Sequence, residues 1–166
     1  MRNHRTDLAY EEVLDLQDNE NFTHTKKSYH GITTHHISIH HPCEEIEKQP
    51  GEYITIELDD LNDAKQREEA IAVTGDCLKQ VIDGLKLSGT RALIVGLGNQ
   101  EITADSLGPM AAKQVIVTAH LHRLQEEELA QGTSEVAVIG PGVMGQTGLE
   151  TAEFVRLALI HISEPT

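Results

Sequence analysis

Two short apolar segments, each followed by a glycine-rich turn and then by a helical pattern, limit the folds open to this chain. The first is RALIV (Arg91–Val95), which precedes GLGN, and the second is EVAVI (Glu135–Ile139), which precedes GPGVMGQTG. Aliphatic and β-branched runs of this length are typical of buried strands. Strand, helix, strand and helix in this order predict an α/β layered structure with a parallel sheet at its centre. Both glycine loops would then lie at the carboxyl edge of the sheet, where the working loops of such folds are found.

Two further strands and a long helix are predicted upstream. The stretches GITTHHISIHH (Gly31–His41) and GEYITIEL (Gly51–Leu58) are rich in β-branched residues, and they are expected to pair through the connection between them. Within residues 61–87, apolar side chains recur at intervals of three, four and seven. This spacing predicts an amphipathic helix, with Asp60 or Asn62 as its N-cap.

The organisation along the chain follows from these elements. Helices are expected after both glycine loops, one starting near Ser106 with Pro109 in its first turn and one starting near residues 147–150. Residues 1–30 are polar and charged without sustained periodicity, so they are expected to form a mobile N-terminal arm. Residues 31–166 are expected to form a single domain, because a chain of 166 residues is too short for two ordinary ones.

Composition excludes several classes of function. The formal net charge is −14, and no basic stripe is present that could neutralise a row of phosphates, so direct binding to nucleic acid or to an anionic membrane is not expected. No apolar run approaches the roughly 20 residues of a spanning helix, and the N-terminus lacks the apolar core of a signal peptide. We therefore expect a soluble, cytoplasmic protein. Cys77 is expected to be a buried structural thiol, whereas the role of Cys43 stays open.

The loop GLGNQEITADSLGP (Gly96–Pro109) is the first candidate for a functional site. It fails the dinucleotide fingerprint G-x-G-x-x-G, because Glu101 stands where the third glycine belongs and its carboxylate would repel a phosphate. Asp105 lies between the glycine turn and the expected helix, where a carboxylate could orient a water molecule. Acid proteolysis needs a second carboxyl group of different pKa. The residues alone leave open the alternative that Asp105 only caps the helix through Ser106 and Leu107.

The histidines His35, His36, His40 and His41, with Cys43 nearby, form a second candidate site. Alternate residues of a strand share a face, so His36 and His40 would point one way while His35 and His41 point the other. Such a set suits zinc or another soft divalent ion. The spacing matches no closed structural site, and histidines on an edge strand are often simply solvated. A metal-dependent peptidase is therefore kept as an alternative.

Several stretches, taken together and in order along the chain, carry a family resemblance. They are RTDLAYE (5–11), GEYITIE (51–57), LIVGLGN with TADSLGPMA (93–99 and 103–111), VTAHL (117–121) and PGVMGQTGLET (141–151). In that order and at about that spacing they resemble the germination proteases of spore-forming bacteria. The likeness covers nearly the whole chain up to about Arg156, and the glycine loops are its most specific parts.

The resemblance implies a three-layer α/β/α fold with a mostly parallel central sheet, similar to the hydrogenase maturation proteases. It also implies an atypical aspartic endopeptidase without a cofactor, which degrades small acid-soluble spore proteins during germination. Such an enzyme would be a homotetramer in the cytoplasm of the forespore or spore core. The enzymes are made as zymogens that cut their own N-terminus, at a bond matched here by Asp7 and Leu8. Asp105 matches the first catalytic aspartate, and the active-site loops contain Gly96, Gly98, Asn99, Gly142 and Gly145.

The C-terminus departs from the family pattern. From about Leu157 the sequence LALIHISEPT does not continue it, whereas the family runs into another buried strand that ends in the second catalytic aspartate. The expectation is a domain that is incomplete at its C-terminus, with a foreign tail and without the partner carboxylate of Asp105. A catalytically inactive member of the family is kept as a further alternative.

Overall fold

The computed structural model of the chain describes residues 8–85, 91–124 and 132–163, which form two compact units. The N-terminal unit comprises the described residues up to Leu85, and the C-terminal unit comprises those from Arg91 onward. The elements of the N-terminal unit are α1 (Ala9–Val13), β1 (Phe22–Tyr29), β2 (Ile32–Ile39), β3 (Gly51–Leu58) and α2 (Ala64–Gly84). Those of the C-terminal unit are β4 (Arg91–Val95), α3 (Leu107–Ala112), α4 (Ala119–Arg123), β5 (Glu135–Ile139), α5 (Met144–Thr147) and α6 (Thr151–Ser163), with a single 3-10 turn at Thr103–Asp105.

Strands β1, β2 and β3 form an antiparallel sheet in that order. Its first hairpin has a two-residue turn, in which His30 and Gly31 both have positive φ (49° and 77°), as the turn that matches strand twist requires. The pairing of β2 with β3 confirms the predicted hairpin. The expectation that residues 1–30 form a mobile arm is wrong for α1 and β1, because β1 pairs with β2 over its whole length.

A hydrophobic core explains why those first elements are ordered. Phe22 of β1 and Ile37 of β2 are fully buried, and Val13 of α1 is 1% exposed. Ile39 and Ile46 complete the cluster, and Tyr10 and Cys43 pack against it. Burying an aliphatic or aromatic side chain contributes about 1.5–3 kcal/mol. Helix α1 is therefore anchored by Ala9, Tyr10 and Val13, although the periodicity of the surrounding sequence does not reveal these contacts.

Helix α2 confirms the predicted long helix, but its cap and its inward face differ from the prediction. The N-cap is Asp63, whose Oδ1 accepts from the backbone N–H groups of Lys65 and Gln66, so the expectation of Asp60 or Asn62 is wrong. The half-buried side of the helix carries small residues such as Val73 and Cys77. Both line a cavity of about 590 Å³ between the helix and the sheet, and Cys77 is therefore only partly buried.

In the C-terminal unit, β4 and β5 pair in parallel, from Arg91 opposite Glu135 to Val95 opposite Ile139. This confirms the parallel pair of the prediction and a mixed α/β class. The expected helix near Ser106 is confirmed as α3, with Pro109 buried in its first turn. The helix expected from residues 147–150 begins at Thr151, and the short α5 precedes it.

The expectation of one mostly parallel sheet is wrong for the described residues, which form an antiparallel triple and a parallel pair. Short connections join β1, β2 and β3, and strands joined in that way pair antiparallel, whereas a parallel pair needs a longer crossover. The three-layer arrangement stays a prediction. A helix that crosses a membrane must be both long and apolar, and the described residues form none that is both.

Candidate active site

Asp105 is the last residue of the 3-10 turn that follows the β4 loop, and its side chain is exposed. The backbone N–H of Asn99 donates to the Asp105 carboxylate oxygen Oδ2 (2.8 Å) and also to its carbonyl oxygen (3.0 Å). A carboxylate that accepts a backbone N–H is fixed in direction, since the donor belongs to the main chain. Within the described residues no donor is hydrogen-bonded to the other oxygen, Oδ1, which leaves it open to water or a substrate group.

The alternative role of Asp105 as a helix cap is wrong. Ser106 is the N-cap residue of α3, and no side chain donates or accepts a capping hydrogen bond there. The Ser106 hydroxyl instead donates to the carbonyl oxygen of Thr103 (3.0 Å). The 3-10 turn directs the Asp105 carboxylate back towards Asn99, away from the free N–H groups of α3. Its position therefore serves the loop rather than the helix.

Three glycines allow the β4 loop to approach the start of α3. Gly98 has φ +131°, and a Cβ at this position would overlap the carbonyl oxygen of Asp105. A Cβ at Gly96 would overlap the carbonyl oxygen of Gly108, and a Cβ at Gly108 would overlap that of Leu97. Such approach of two backbones requires glycine. Gly96 and Gly98 thus build the setting of Asp105, and Gly108 is a third member that the sequence reasoning missed.

The loop that follows β5 contacts the loop that follows β4, at Asn99. The Gln146 side-chain Nε2 donates to Asn99 Oδ1 (3.0 Å), and the Gly96 N–H donates to the Ile139 carbonyl oxygen (2.9 Å) at the end of the parallel pair. Gly142 has φ +71° and lies beside the Gln146 side chain. Gly145 has no heavy atom within 4 Å of an added Cβ, so it makes no close approach of this kind. The two glycine loops therefore meet at Asn99.

The proposed self-cleavage bond falls at the edge of the described chain. Asp7 lies outside the described residues. Leu8 directly precedes α1, with an extended backbone (φ −96°, ψ 115°) and a side chain that is 41% exposed. The role of this bond stays a prediction.

The histidines on β2 do not converge. His35 is 1% exposed and stacks on the Tyr10 ring with 4.2 Å between ring centroids, and its Nδ1 lies 3.0 Å from Nε2 of His24. His36 lies on the opposite face, where its Nε2 contacts the Glu52 carboxylate at 2.7 Å. In the described parts of the chain, no group of three or more His, Cys, Asp or Glu residues is arranged to hold a metal ion. The metal-dependent alternative therefore lacks a ligand set there.

Two groups in this sheet have shifted pKa values. Burial lowers the pKa of the His24 imidazole, the nearby His35 and Lys26 lower it further, and Asp18 opposes the shift. Burial of the Glu52 carboxyl raises its pKa, but hydrogen bonds from Ser38 and His36 favour the ionised form, and the net effect is a lowered pKa. Both groups belong to the N-terminal unit, whereas Asp105 belongs to the C-terminal unit.

A protein-family comparison decides what kind of chain this is. The family model described as germination protease matches residues 3–165. The chain belongs to the germination protease family. Its relatives include the germination proteases of Bacillus subtilis (33% identical over 97% of this chain) and Clostridium acetobutylicum (38% over 94%). The matched regions are 47% and 51% of those relatives, so the chain spans about half the length of the curated relatives it matches.

The family match reaches beyond Arg156, near which the likeness is expected to end, because the germination protease model extends to residue 165. Helix α6 covers Thr151–Ser163 of this region. The foreign tail and the absence of the partner carboxylate stay predictions.

Proposed function

We propose that this chain carries part of the catalytic site of an endopeptidase that starts the degradation of small acid-soluble spore proteins during germination. Membership of the germination protease family supports a peptidase role. The geometry that carries the proposal is the Asp105 carboxylate, which the Asn99 N–H holds through Oδ2, while no donor among the described residues is hydrogen-bonded to Oδ1. The carboxyl ends of parallel strands are where such folds place their reactive groups.

In the proposed mechanism Asp105 acts as the general base of an atypical aspartic peptidase. Its Oδ1 would accept a proton from a water molecule as that water attacks the peptide carbonyl carbon, and a second carboxyl group would donate a proton to the leaving amine. No Asp or Glu side chain is hydrogen-bonded to Asp105 in the described part of the chain. We propose that a second carboxyl group, one that is not hydrogen-bonded to Asp105 among the described residues, supplies this proton.

Further parts of the proposal concern the whole protein. We propose a zymogen that cuts itself between Asp7 and Leu8, since an exposed, extended backbone suits entry into a peptidase site. We also propose a homotetramer that works in the cytoplasm of the forespore or spore core without a cofactor. The three-layer fold similar to the hydrogenase maturation proteases is proposed to be the setting of β4 and β5.

The test is cleavage of a small acid-soluble spore protein by the purified protein and by two variants. Asp105→Asn removes the proton acceptor, so we expect kcat/KM to fall about 100-fold or more. Asp83→Asn, an exposed site on α2, is the matched control and should cleave like the parent. Cleavage by Asp105→Asn at the parent rate would contradict the proposal. No cleavage by the parent itself would favour the catalytically inactive alternative, and inhibition by a chelator would favour a metal-dependent one.

A further inference from the structure

Gln146 joins the two glycine loops, although its residue type and position give no catalytic signal in the sequence. It lies in α5, where its backbone N–H donates to the Val143 carbonyl oxygen (2.9 Å). Gly148 caps the C-terminus of this helix, and its φ of +70° is the left-handed conformation typical of that position. These bonds fix the backbone of Gln146, and its side chain reaches across to Asn99.

The hydrogen bonds determine which way both amide groups point. Asn99 Oδ1 accepts from the backbone N–H of Glu101 (2.9 Å), and a backbone N–H is always a donor, so that atom of Asn99 must be oxygen. Gln146 must then present its NH₂ group to Asn99, at 3.0 Å. Its other end, Oε1, lies beside Gly142, where an added Cβ would stand 3.2 Å away. The orientation of the Gln146 amide therefore follows, through Asn99, from the backbone N–H of Glu101.

Asn99 connects Gln146 to the Asp105 carboxylate through two hydrogen bonds. Its side chain is held by Glu101 and Gln146, and its own N–H donates to Asp105 Oδ2 at 2.8 Å. Gln146 thus lies two hydrogen bonds from Asp105 and touches no reacting atom. We propose that Gln146 is a positioning residue, which locks the β5 loop to Asn99 and thereby sets the direction of the Asp105 carboxylate. The inference rests on the proposed function of Asp105.

The first test measures positioning without any need for activity. Amide hydrogen exchange at Asn99 and Glu101 is followed by NMR in the full chain and in Gln146→Ala, Gln146→Glu and the control Gln114→Ala. Loss of one hydrogen bond should speed exchange at both amides about fivefold. Gln146→Glu keeps the shape but, when ionised, has no donor, so it should match Gln146→Ala at neutral pH and recover as the pH falls through about 4.3. Gln114 is exposed and has no side-chain hydrogen bond among the described residues, so its variant should exchange like the parent.

The second test measures the catalytic consequence. We expect Gln146→Ala to lower kcat about tenfold while KM stays within about twofold, because misdirection of a catalytic group affects the transition state more than substrate binding. Unchanged exchange in Gln146→Ala, or a Gln146→Glu variant that behaves like the parent at neutral pH, would overturn the inference and leave Gln146 a packing role. A parent-like kcat in Gln146→Ala would also overturn it. If Asp105→Asn retained cleavage, the proposed function would fail, while the exchange result would still report whether Gln146 positions Asn99.

Discussion

Gly98 shows how strongly the candidate site depends on single residues. Its backbone adopts φ +131° directly beside the carbonyl oxygen of Asp105. No larger residue can take its place unless the main chain moves at Gly98 or at Asp105. The conformation is one that side-chain-bearing residues rarely adopt, so any substitution is strained even before the overlap is counted. The requirement for glycine here therefore has a local, physical cause.

We expect Gly98→Ala to lower the free energy of unfolding by about 2–4 kcal/mol, because the new Cβ would collide with main-chain atoms of Asp105. The matched control is Gly145→Ala in α5, where an added Cβ meets no heavy atom within 4 Å. There alanine should raise helix propensity and change stability by less than about 1 kcal/mol. Urea denaturation of both variants checks the difference, and equal midpoints for Gly98→Ala and the parent would show that the loop relaxes freely.

At this scale the sequence predicts part of the site. The glycines after each strand and the aspartate before α3 are visible in the motif, whereas the contact between Asn99 and Gln146 is not. That contact joins residues 47 apart, and it depends on the parallel register that sets Val95 opposite Ile139. Register is a property of the paired strands and cannot be obtained from either loop alone.

Among the elements, α2 shows what periodicity can and cannot predict. The apolar residues that predicted the helix are largely exposed, with Ile71 at 73% and Leu78 at 59%, while Val73 and Cys77 lie on the half-buried side. Contacts in the first turn of α2 hold the helix in this orientation about its own axis. Gln66 lies against Gly31, and its Oε1 accepts from the backbone N–H of Asp60 (3.2 Å). Periodicity therefore identifies a helix, but the contacts of Gln66 at its N-terminus determine which side of the helix faces the sheet.

The cap of α2 yields a prediction for the element. Asp63→Ala removes the carboxylate that accepts from Lys65 and Gln66, and we expect the free energy of unfolding to fall by about 1 kcal/mol. Asn62→Ala, at a cap position expected from the sequence, should change it by less than about 0.5 kcal/mol, because the Asn62 side chain accepts no capping bond. Thermal unfolding monitored by circular dichroism compares the two. A larger loss in Asn62→Ala would show that the helix starts earlier than Asp63.

For the molecule as a whole, the sequence predicts the regular elements from Gly31 onward except the short helices α4 and α5, and it predicts the parallel pairing of β4 with β5. It fails at α1 and β1, since a short helix and an exposed edge strand leave little periodic signal, and their order comes from a few buried contacts such as Val13 and Phe22. It also fails to separate the antiparallel triple from the parallel pair, because strand direction depends on connection length rather than on strand composition.

A global prediction concerns acid stability. Because folding lowers the pKa of His24, the unfolded chain binds more protons than the folded chain once the pH falls below the unfolded value of about 6.5. The contribution of His24 to stability should be intact above that value. It should be lost progressively as the pH falls through the window between the unfolded pKa and the lower folded pKa.

The measurement is the urea midpoint of the parent and of His24→Gln, at several pH values from about 7.5 down to about 5. Glutamine keeps a donor for His35 but does not titrate, so the drop in midpoint on acidification should be smaller in the variant than in the parent. An equal drop in both proteins would assign the acid sensitivity to other groups.

The two ends of the β4–β5 pair carry different side-chain contacts. At the amino end, Arg91 pairs with Glu135 (2.9 Å) and donates to the Ile162 carbonyl oxygen (3.2 Å), while the carboxyl end carries Asn99, Asp105 and Gln146. Substitutions at the first end should act on stability, and those at the second on activity. An experimenter can therefore attach a label or select stabilising variants around Arg91 without altering the loops of the proposed site.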